Sequence, residues 1–255
     1  MLAIIGGSGM SRLAELEDAR RQVIRTPYGE ASGALTFGKL NAHDVAFLAR
    51  HGYGHTIPPH AVNYRANIWA LASQGVRQIV SIASVGGIRA DLAPGNLAVP
   101  SQVIDYTYGR DLTFFDGEDG LVRHIDFTHP YCPVLRAKLV KACERAGLPV
   151  IDGGVYAVTQ GPRLETAAEI DRLERDGADM VGMTGMPEAG LARELDIGYA
   201  TLAVVANWAA GRATSEGGIV LAEIGKILEQ AMLQVRRVLN CLEIDDGDQT
   251  GAEAG

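Results

Sequence analysis

Several common classes of protein have sequence features that this chain lacks. Its three cysteines, Cys132, Cys143 and Cys241, lie far apart without a Cys-x-x-Cys pair, which argues against a zinc ribbon or a disulfide framework. No apolar run approaches the roughly 18–20 residues that a membrane-spanning helix needs. The first residues, MLAIIGGSGM, lack a basic segment before a long apolar stretch. We therefore expect no secretory signal, no membrane partner and a cytoplasmic protein.

Positive charge is also scarce, with 23 Lys and Arg against 31 Asp and Glu and a net charge of −8. A nucleic-acid partner would need a basic stripe, so we expect none. Residues 243–255 carry five carboxylates and neither Lys nor Arg, which predicts a disordered acidic tail. The chain is 47% hydrophobic. Residues 1–242 can therefore bury the core of one domain, although the length also permits two.

Apolar runs of strand length alternate with segments of helical periodicity, which predicts an α/β fold with helices on both faces of a central sheet. The predicted strands are LAIIGG, ALTFGKL, DVAFLAR, QIVSIASVGG, NLAVP, VYAVTQG, DMVGM and YATLAVVAN. The predicted helices are 58–75, 133–146, 165–176, one that begins at Pro187, and 216–241. The short turn NAH joins ALTFGKL to DVAFLAR, which predicts an antiparallel hairpin and therefore a mixed sheet.

Four predicted strands lead into loops that could bind an anion. They carry Ser8 in IIGGSGM, Arg50 and His51 in LARHG, Ser84 in IASVGG, and Thr184 in GMTGMPE. Each loop alone is better explained as a tight turn, a surface pair or a helix cap. Together, Arg, His, Ser and Thr with open backbone amides make a set suited to phosphate. No Gly-x-x-x-x-Gly-Lys-Ser/Thr motif occurs, so a nucleoside triphosphate is not the expected ligand.

Longer segments resemble the trimeric purine nucleoside phosphorylase family, in its methylthioadenosine phosphorylase branch. They are IIGGSG, LARHGYGHTIPPHAVNYRANIWAL, ASVGGIR, GPRLET, GADMVGMTGMPEAGLARE and the strand that ends at Asn207. The resemblance covers nearly the whole chain up to the acidic tail. It implies cleavage of the N-glycosidic bond of a purine nucleoside, with inorganic phosphate as co-substrate and neither metal nor organic cofactor. It also implies a homotrimer in which a neighbouring subunit closes part of the pocket.

The same resemblance implies the roles of individual residues. It places ribose against Met183, gives catalytic roles to His51 and Asn207, and adds substrate contacts from Leu164 and Ala209. It places phosphate against Ser8, Arg50, His51, Ala83, Ser84 and Thr184. Removing the Arg50 guanidinium is then expected to raise the KM for phosphate.

The run TLAVVANWAAG bears on which purine is bound. The methylthioadenosine branch has a T-D-Y-D-like stretch here, whereas this chain has Ala206, Asn207, Trp208 and Ala209 and lacks both carboxylates. An amide can serve a 6-oxopurine or adenine, so Asn207 alone does not decide. It could also be a turn residue that bonds its own backbone.

Glu165 favours one of these bases. It lies in GPRLET, which resembles the GP-x-F-E-T of the inosine/guanosine branch. A carboxylate accepts the N1–H of a 6-oxopurine but faces a lone pair on N1 of adenine, and a mismatch of that kind discriminates strongly. The alternative is an acidic residue in the first turn of a helix, where the dipole favours it. With Asn207, Glu165 indicates a 6-oxopurine.

The 5′ end of the sugar is expected to meet apolar residues of the last helix, since the chain keeps the HTIPPH segment of the methylthioadenosine branch. Ile219, Val220 and Ile224 are the candidates, with Val220 as the specificity residue, although all three also suit the core face of an amphipathic helix. His55, His60 and His124 are further pocket candidates, or structural histidines.

A 6-oxo base with an apolar 5′ end indicates 5′-methylthioinosine, cleaved to hypoxanthine and 5-methylthioribose 1-phosphate in purine salvage. The alternatives are an inosine/guanosine phosphorylase, a methylthioadenosine phosphorylase, a nucleosidase that uses water, and a non-catalytic nucleoside-binding protein.

Overall fold

The computed structural model describes residues 1–117 and 121–244. Within these ranges the strands join into one 11-stranded sheet. They are β1 (Leu2–Gly6), β2 (Glu17–Gln22), β3 (Leu35–Leu40), β4 (His43–Ala49), β5 (Gln78–Gly87), β6 (Leu97–Val99), β7 (Gln102–Asp105), β8 (Val150–Asp152), β9 (Val155–Val158), β10 (Met180–Gly182) and β11 (Gly198–Trp208). The α-helices of the same ranges are α1 (Tyr64–Ser73), α2 (Pro133–Arg145), α3 (Ala167–Arg175), α4 (Glu188–Glu194) and α5 (Leu221–Asn240).

Strand β5 is the centre of the sheet. It pairs in parallel with β1 on one side and β11 on the other, and its last residues pair antiparallel with β10. Strands β3 and β4 form the predicted antiparallel hairpin, and β4 pairs in parallel with β1. The prediction of a mixed sheet is therefore confirmed.

Helices cover both faces of the sheet, as β1 illustrates. Leu2 and Ile4 belong to a core cluster that includes residues of α2 and α5, whereas Ala3 and Ile5 belong to the cluster that includes α1 and α4. Successive side chains of a strand point to opposite faces, so a strand buried on both sides must be apolar throughout. That requirement is why the run LAIIG was recognisable from sequence.

Two predicted helices begin five or more residues later than expected. Helix α1 begins at Tyr64, not at residue 58, because the Asn63 side chain accepts a hydrogen bond from the amide of Ala66 and caps it there. The prolines before it form an extended segment and a short 3-10 turn at Pro59–Ala61. Helix α5 begins at Leu221, not at residue 216, after a Gly-Gly pair in which Gly218 has φ +133°.

Three strands were missed from the sequence. Strand β2, EDARRQ, is exposed at every residue and lies at an edge of the sheet, where charged side chains discourage pairing with another chain. Strands β7 and β8 have only four and three residues, too few to show alternation. None of the described helices is both long enough and apolar enough to cross a membrane.

The boundary of the acidic tail also needs correction. Ile244 is buried in the core and Glu243 pairs with Arg145 at 3.2 Å. The packed chain therefore continues through residue 244. The rest of the predicted tail, 245–255, lies outside the described residues.

Candidate active site

A cavity of about 540 Å³ lies where the loops after several strands meet. Strands β1, β4 and β11 run parallel to one another around β5, so their carboxyl ends reach the same edge of the sheet. Ligands of open α/β sheets commonly bind at such an edge. The loop after β10 reaches the same place because β10 ends beside the last residues of β5.

The cavity collects most of the residues that the sequence singled out, although they are scattered along the chain. Those on its wall are Ser8, Arg50, His51, His55, Ser84, Leu164, Glu165, Met183, Thr184, Asn207, Ala209 and Ile224. Others on the wall were not foreseen, among them Ile57, Pro58 and Pro59. Their only sequence signal was the position of HTIPPH directly after Arg50 and His51.

Five of the residues that the sequence offered for the site lie outside this wall. The side chain of Ala83 is buried in the core. Val220, expected to be the specificity residue of the last helix, is the N-cap of α5 and its side chain is 55% exposed. Ile219 precedes the helix altogether, so Ile224 is the only one of the three apolar candidates on the wall. His60 and His124, the other pocket candidates, are exposed and also lie outside it.

Arg50 is fully buried at the inner end of the cavity. Its Nε and Nη2 donate to the two carboxylate oxygens of Glu188, both at 2.8 Å, and Nη1 donates to the carbonyl of Ile82 at 3.0 Å. Nη2 also donates to Ser81 Oγ at 2.6 Å. Burial opposes the charged form, but the contact with Glu188 outweighs it and raises the pKa of Arg50. One Nη1–H remains for a ligand.

His51 follows Arg50 in the chain and its ring is held in one orientation. Its Nδ1 lies 2.8 Å from the carbonyl oxygen of Ile57, which can only accept, so Nδ1 carries a hydrogen. Burial, with the positive charge of Arg50, lowers the pKa of His51 to about 4. The imidazole is therefore neutral at pH 7, and its Nε2 has an unprotonated lone pair.

The Gly-Gly pair before Ser8 is required by two close backbone contacts, that of β5 with Gly7 and that of Met10 with Gly6. A Cβ on Gly7 would lie 2.4 Å from the carbonyl oxygen of Ile82, and one on Gly6 would lie 2.2 Å from that of Met10. Only glycine lets the backbone come so near, and this contact places Ser8 on the cavity wall.

Asn207 reaches the cavity through an irregularity in β11. Val205 pairs with Val85 and Asn207 with the next residue, Gly86, so Ala206 is an extra residue in the ladder. A bulge of this kind changes the direction of the side chains that follow it. The Asn207 Nδ2 donates to the carbonyl of Trp208 at 2.7 Å, which leaves Oδ1 as an acceptor. The amide thus bonds its own backbone through one atom and retains another for a ligand.

Glu165 is half-buried and lies on the cavity wall, on the loop before α3. It is not in the first turn of the helix, because Thr166 is the N-cap and forms a capping box with Glu169. Thr159 Oγ1 donates to Glu165 Oε1 at 2.6 Å. The carboxylate is therefore oriented by the protein and retains Oε2 as an acceptor.

This fold is that of the nucleoside phosphorylases. Methylthioadenosine phosphorylase from Schistosoma mansoni in complex with adenine superposes with a TM-score of 0.89 at 31% identity, over 94% of this chain and 90% of that one. The sequence profile of the Phosphorylase superfamily matches residues 1–242. The chain belongs to this superfamily.

Two relatives are similar over most of their length. A probable S-methyl-5′-thioinosine phosphorylase of Xanthomonas campestris pv. campestris is 52% identical over 88% of this chain and 89% of its own. A 6-oxopurine nucleoside phosphorylase of Pyrococcus furiosus is 49% identical over 82% of this chain and 80% of its own.

Proposed function

We propose that this chain cleaves the N-glycosidic bond of a 6-oxopurine nucleoside with inorganic phosphate. Its preferred substrate is S-methyl-5′-thioinosine, which gives hypoxanthine and 5-methylthioribose 1-phosphate. The observation that carries the proposal is the pair of oriented acceptors on one cavity, Oε2 of Glu165 and Oδ1 of Asn207. The names of the similar proteins from Xanthomonas and Pyrococcus agree with it.

Two acceptors match the hydrogen-bond donors of a departing 6-oxopurine. Hypoxanthine has an N1–H for Glu165. When the C1′–N9 bond breaks, the departing purine takes up a proton from solvent at N7, and this N7–H donates to Asn207. The remaining N–H of the Asn207 amide can donate to O6. Adenine carries a lone pair on N1, which a carboxylate repels, and an unpaired buried acceptor is costly.

Phosphate occupies the opposite part of the cavity, between Arg50, His51 and Thr184. Its donors are the remaining Nη1–H of Arg50 and the hydroxyls of Ser8, Ser84 and Thr184. Held beneath C1′, its oxygen attacks while the electron pair of the glycosidic bond passes to the purine. Met183 lies against the ribose. In this scheme phosphate is the nucleophile and the purine is the leaving group, and no step uses a metal or an organic cofactor.

The remaining wall accommodates the 5′ group of the sugar. Ile57, Pro58, Pro59 and Ile224 give it an apolar surface, which suits a methylthio group better than a hydroxyl. Ile224 replaces Val220 in this role.

Part of this wall is open in the single chain, which supports a homotrimer whose neighbouring subunit covers the 5′ end. His55, Thr56 and Pro58 line the cavity and are exposed. Closure by a second chain would exclude water from the site. The reaction would serve purine salvage in the cytoplasm.

Inosine is the second candidate substrate. His55 and Thr56 lie on the same wall as the apolar residues and could bond a 5′-hydroxyl. The test is kcat/KM for S-methyl-5′-thioinosine, inosine and S-methyl-5′-thioadenosine, with and without phosphate. We expect the first to be the best substrate and free base to appear only with phosphate. Best turnover of inosine would refute the methylthio assignment, and cleavage without phosphate would indicate a nucleosidase.

A further inference from the structure

Arg110 lies behind the cavity and bonds to the backbone of two loops that form its wall. We define the base loop as residues 159–165, which carries Glu165, and the sugar loop as residues 183–187. Arg110 Nη1 donates to the carbonyl of Met183 at 2.9 Å and to that of Met186 at 2.6 Å. Its Nη2 donates to the carbonyls of Thr159 and Gln160 at 3.3 and 2.9 Å. One guanidinium therefore joins both loops.

A third part of the wall is connected through a tyrosine. Arg110 Nη1 also contacts the hydroxyl of Tyr64 at 3.2 Å, and that hydroxyl donates to the carbonyl of Pro59 at 2.9 Å. The guanidinium carbon lies 5.3 Å from the centre of the Tyr64 ring. Arg110 thus links the base loop, the sugar loop and the apolar wall.

The partners of Arg110 are unusual for a buried charge. Arg110 is only 9% exposed. Its hydrogen bonds are accepted by backbone carbonyls, by the Gln160 side-chain oxygen and by the Tyr64 hydroxyl, and not by a carboxylate. A buried charge is tolerated only where such dipoles surround it. The carbonyls depend on Arg110 in turn, because removing the guanidinium leaves them buried without a hydrogen-bond donor.

The two loops are also in direct contact. A Cβ on Gly161 would lie 2.5 Å from the sulfur of Met183, so the sugar loop packs against the backbone of the base loop. Thr159 donates its backbone N–H to the carbonyl of Gly182 at 2.8 Å and its hydroxyl to Glu165. The position of Glu165 relative to Met183 is therefore set by Thr159 and by the guanidinium that bonds its carbonyl.

We propose that Arg110 is a positioning residue that fixes the Glu165 carboxylate at a set distance from the sugar loop, and so determines the selectivity for the base. The inference rests on the proposed function of Glu165. Glu165 can distinguish the N1–H of a 6-oxopurine from the N1 lone pair of adenine only if its carboxylate is held at a fixed position relative to the residues that bind the sugar and phosphate. Lysine cannot substitute, because one ammonium cannot span two loops as the guanidinium does.

The test is Arg110→Lys, which keeps the charge and loses the fork. We expect kcat/KM for S-methyl-5′-thioinosine to fall about 10²-fold, as misplacement by about 1 Å does elsewhere. The ratio of kcat/KM for S-methyl-5′-thioinosine to kcat/KM for S-methyl-5′-thioadenosine, called the ratio below, should fall as well. In a Glu165→Gln background, Arg110→Lys should leave the ratio unchanged. A merely structural role would lower stability without moving the ratio.

The control is Arg136→Lys, since Arg136 also donates to backbone carbonyls, those of Val99 and Pro100, but away from the cavity. It should leave the ratio unaltered. If Arg110→Lys fails to fold, Gln160→Ala is the second variant. It removes the side-chain oxygen that accepts from Arg110 Nε and from the backbone N–H of Tyr108, leaves the guanidinium in place, and should lower the ratio to a smaller degree.

An unchanged ratio in a folded Arg110→Lys or Gln160→Ala protein would overturn the inference. Failure of the proposed function looks different, because Glu165→Gln alone would then leave the ratio unchanged.

Discussion

At the scale of single residues, Arg50 has a role in the fold that its sequence motif did not reveal. Four hydrogen bonds of its guanidinium end on Glu188, Ser81 and Ile82 within the protein. The carboxylate is 138 residues away in sequence, so no local pattern predicts the pair. An effect of Arg50 substitutions on phosphate binding will therefore be accompanied by an effect on folding.

We expect Arg50→Ala to lower the free energy of unfolding by about 3–5 kcal/mol, because it leaves Glu188 buried without its counter-charge. Denaturant unfolding measures this change. Arg163→Ala is the control, since its ion pair with Glu169 is exposed to solvent and should contribute little to stability. Equal stability of the two variants would contradict the account of the buried pair.

His51 gives a prediction on pH. Its pKa is about 4 in the folded protein because of burial and Arg50, against about 6.5 in an unfolded chain. Between these values the unfolded state binds a proton that the folded state does not, so stability falls as pH falls from about 6.5 to about 4. The other groups that act on this ring are His55, which also lowers the pKa, and Glu188 and the Ile57 carbonyl, which raise it.

The measurement is the free energy of unfolding across this range in phosphate-free buffer. His51→Asn should lose a dependence of about 1.4 kcal/mol per pH unit near pH 5, which corresponds to one proton. His60→Asn is the control, because His60 is exposed and should keep the wild-type slope. A slope in His51→Asn equal to that of wild type would show that His51 is not the group that titrates.

At the scale of elements, the sequence predicted the strands that are buried on both faces. It did not predict the strand irregularities and helix starts that set the direction of individual side chains. The apolar runs of β1, β5 and β11 are recognisable as strands in the sequence. Strand β2 is exposed throughout and all but one of its residues are charged or polar, so it gives no such pattern. The extra residue Ala206 in the β11 ladder has no sequence signature, although it sets the direction of Asn207. Helix α5 begins five residues later than the sequence predicted. As a result Ile224, and not Val220, lies on the cavity wall.

The corrected start of α5 makes a prediction about the 5′ group. Ile224→Ala should lower kcat/KM for S-methyl-5′-thioinosine about tenfold with little change for inosine, because it removes apolar surface near the methylthio group. Steady-state kinetics with both substrates measures this. Val220→Ala, a change in an exposed side chain four residues earlier, should have less than about a twofold effect. A larger effect at Val220 would restore it as the specificity residue.

At the scale of the whole molecule, the site is an assembly of loops from distant parts of the sequence. The phosphate-binding residues could be predicted from the loops that carry them. The resemblance to a family was needed to predict that Glu165 and Asn207 bind the same base. What the sequence could not supply were the long-range contacts behind the wall, those of Arg50 with Glu188 and of Arg110 with two loops. Such contacts form only in the packed fold, and no local spacing of residues in the sequence predicts them.

The account depends most on the claim that the site selects an oxygen at position 6 of the purine. S-methyl-5′-thioinosine and S-methyl-5′-thioadenosine differ only in the group at position 6 and in the hydrogen on N1 that accompanies the oxygen. The ratio of their kcat/KM values at one phosphate concentration therefore isolates that claim. We predict a ratio of about 10² or more in favour of the 6-oxo substrate, falling towards one in Glu165→Gln. A wild-type ratio at or below one would contradict the account.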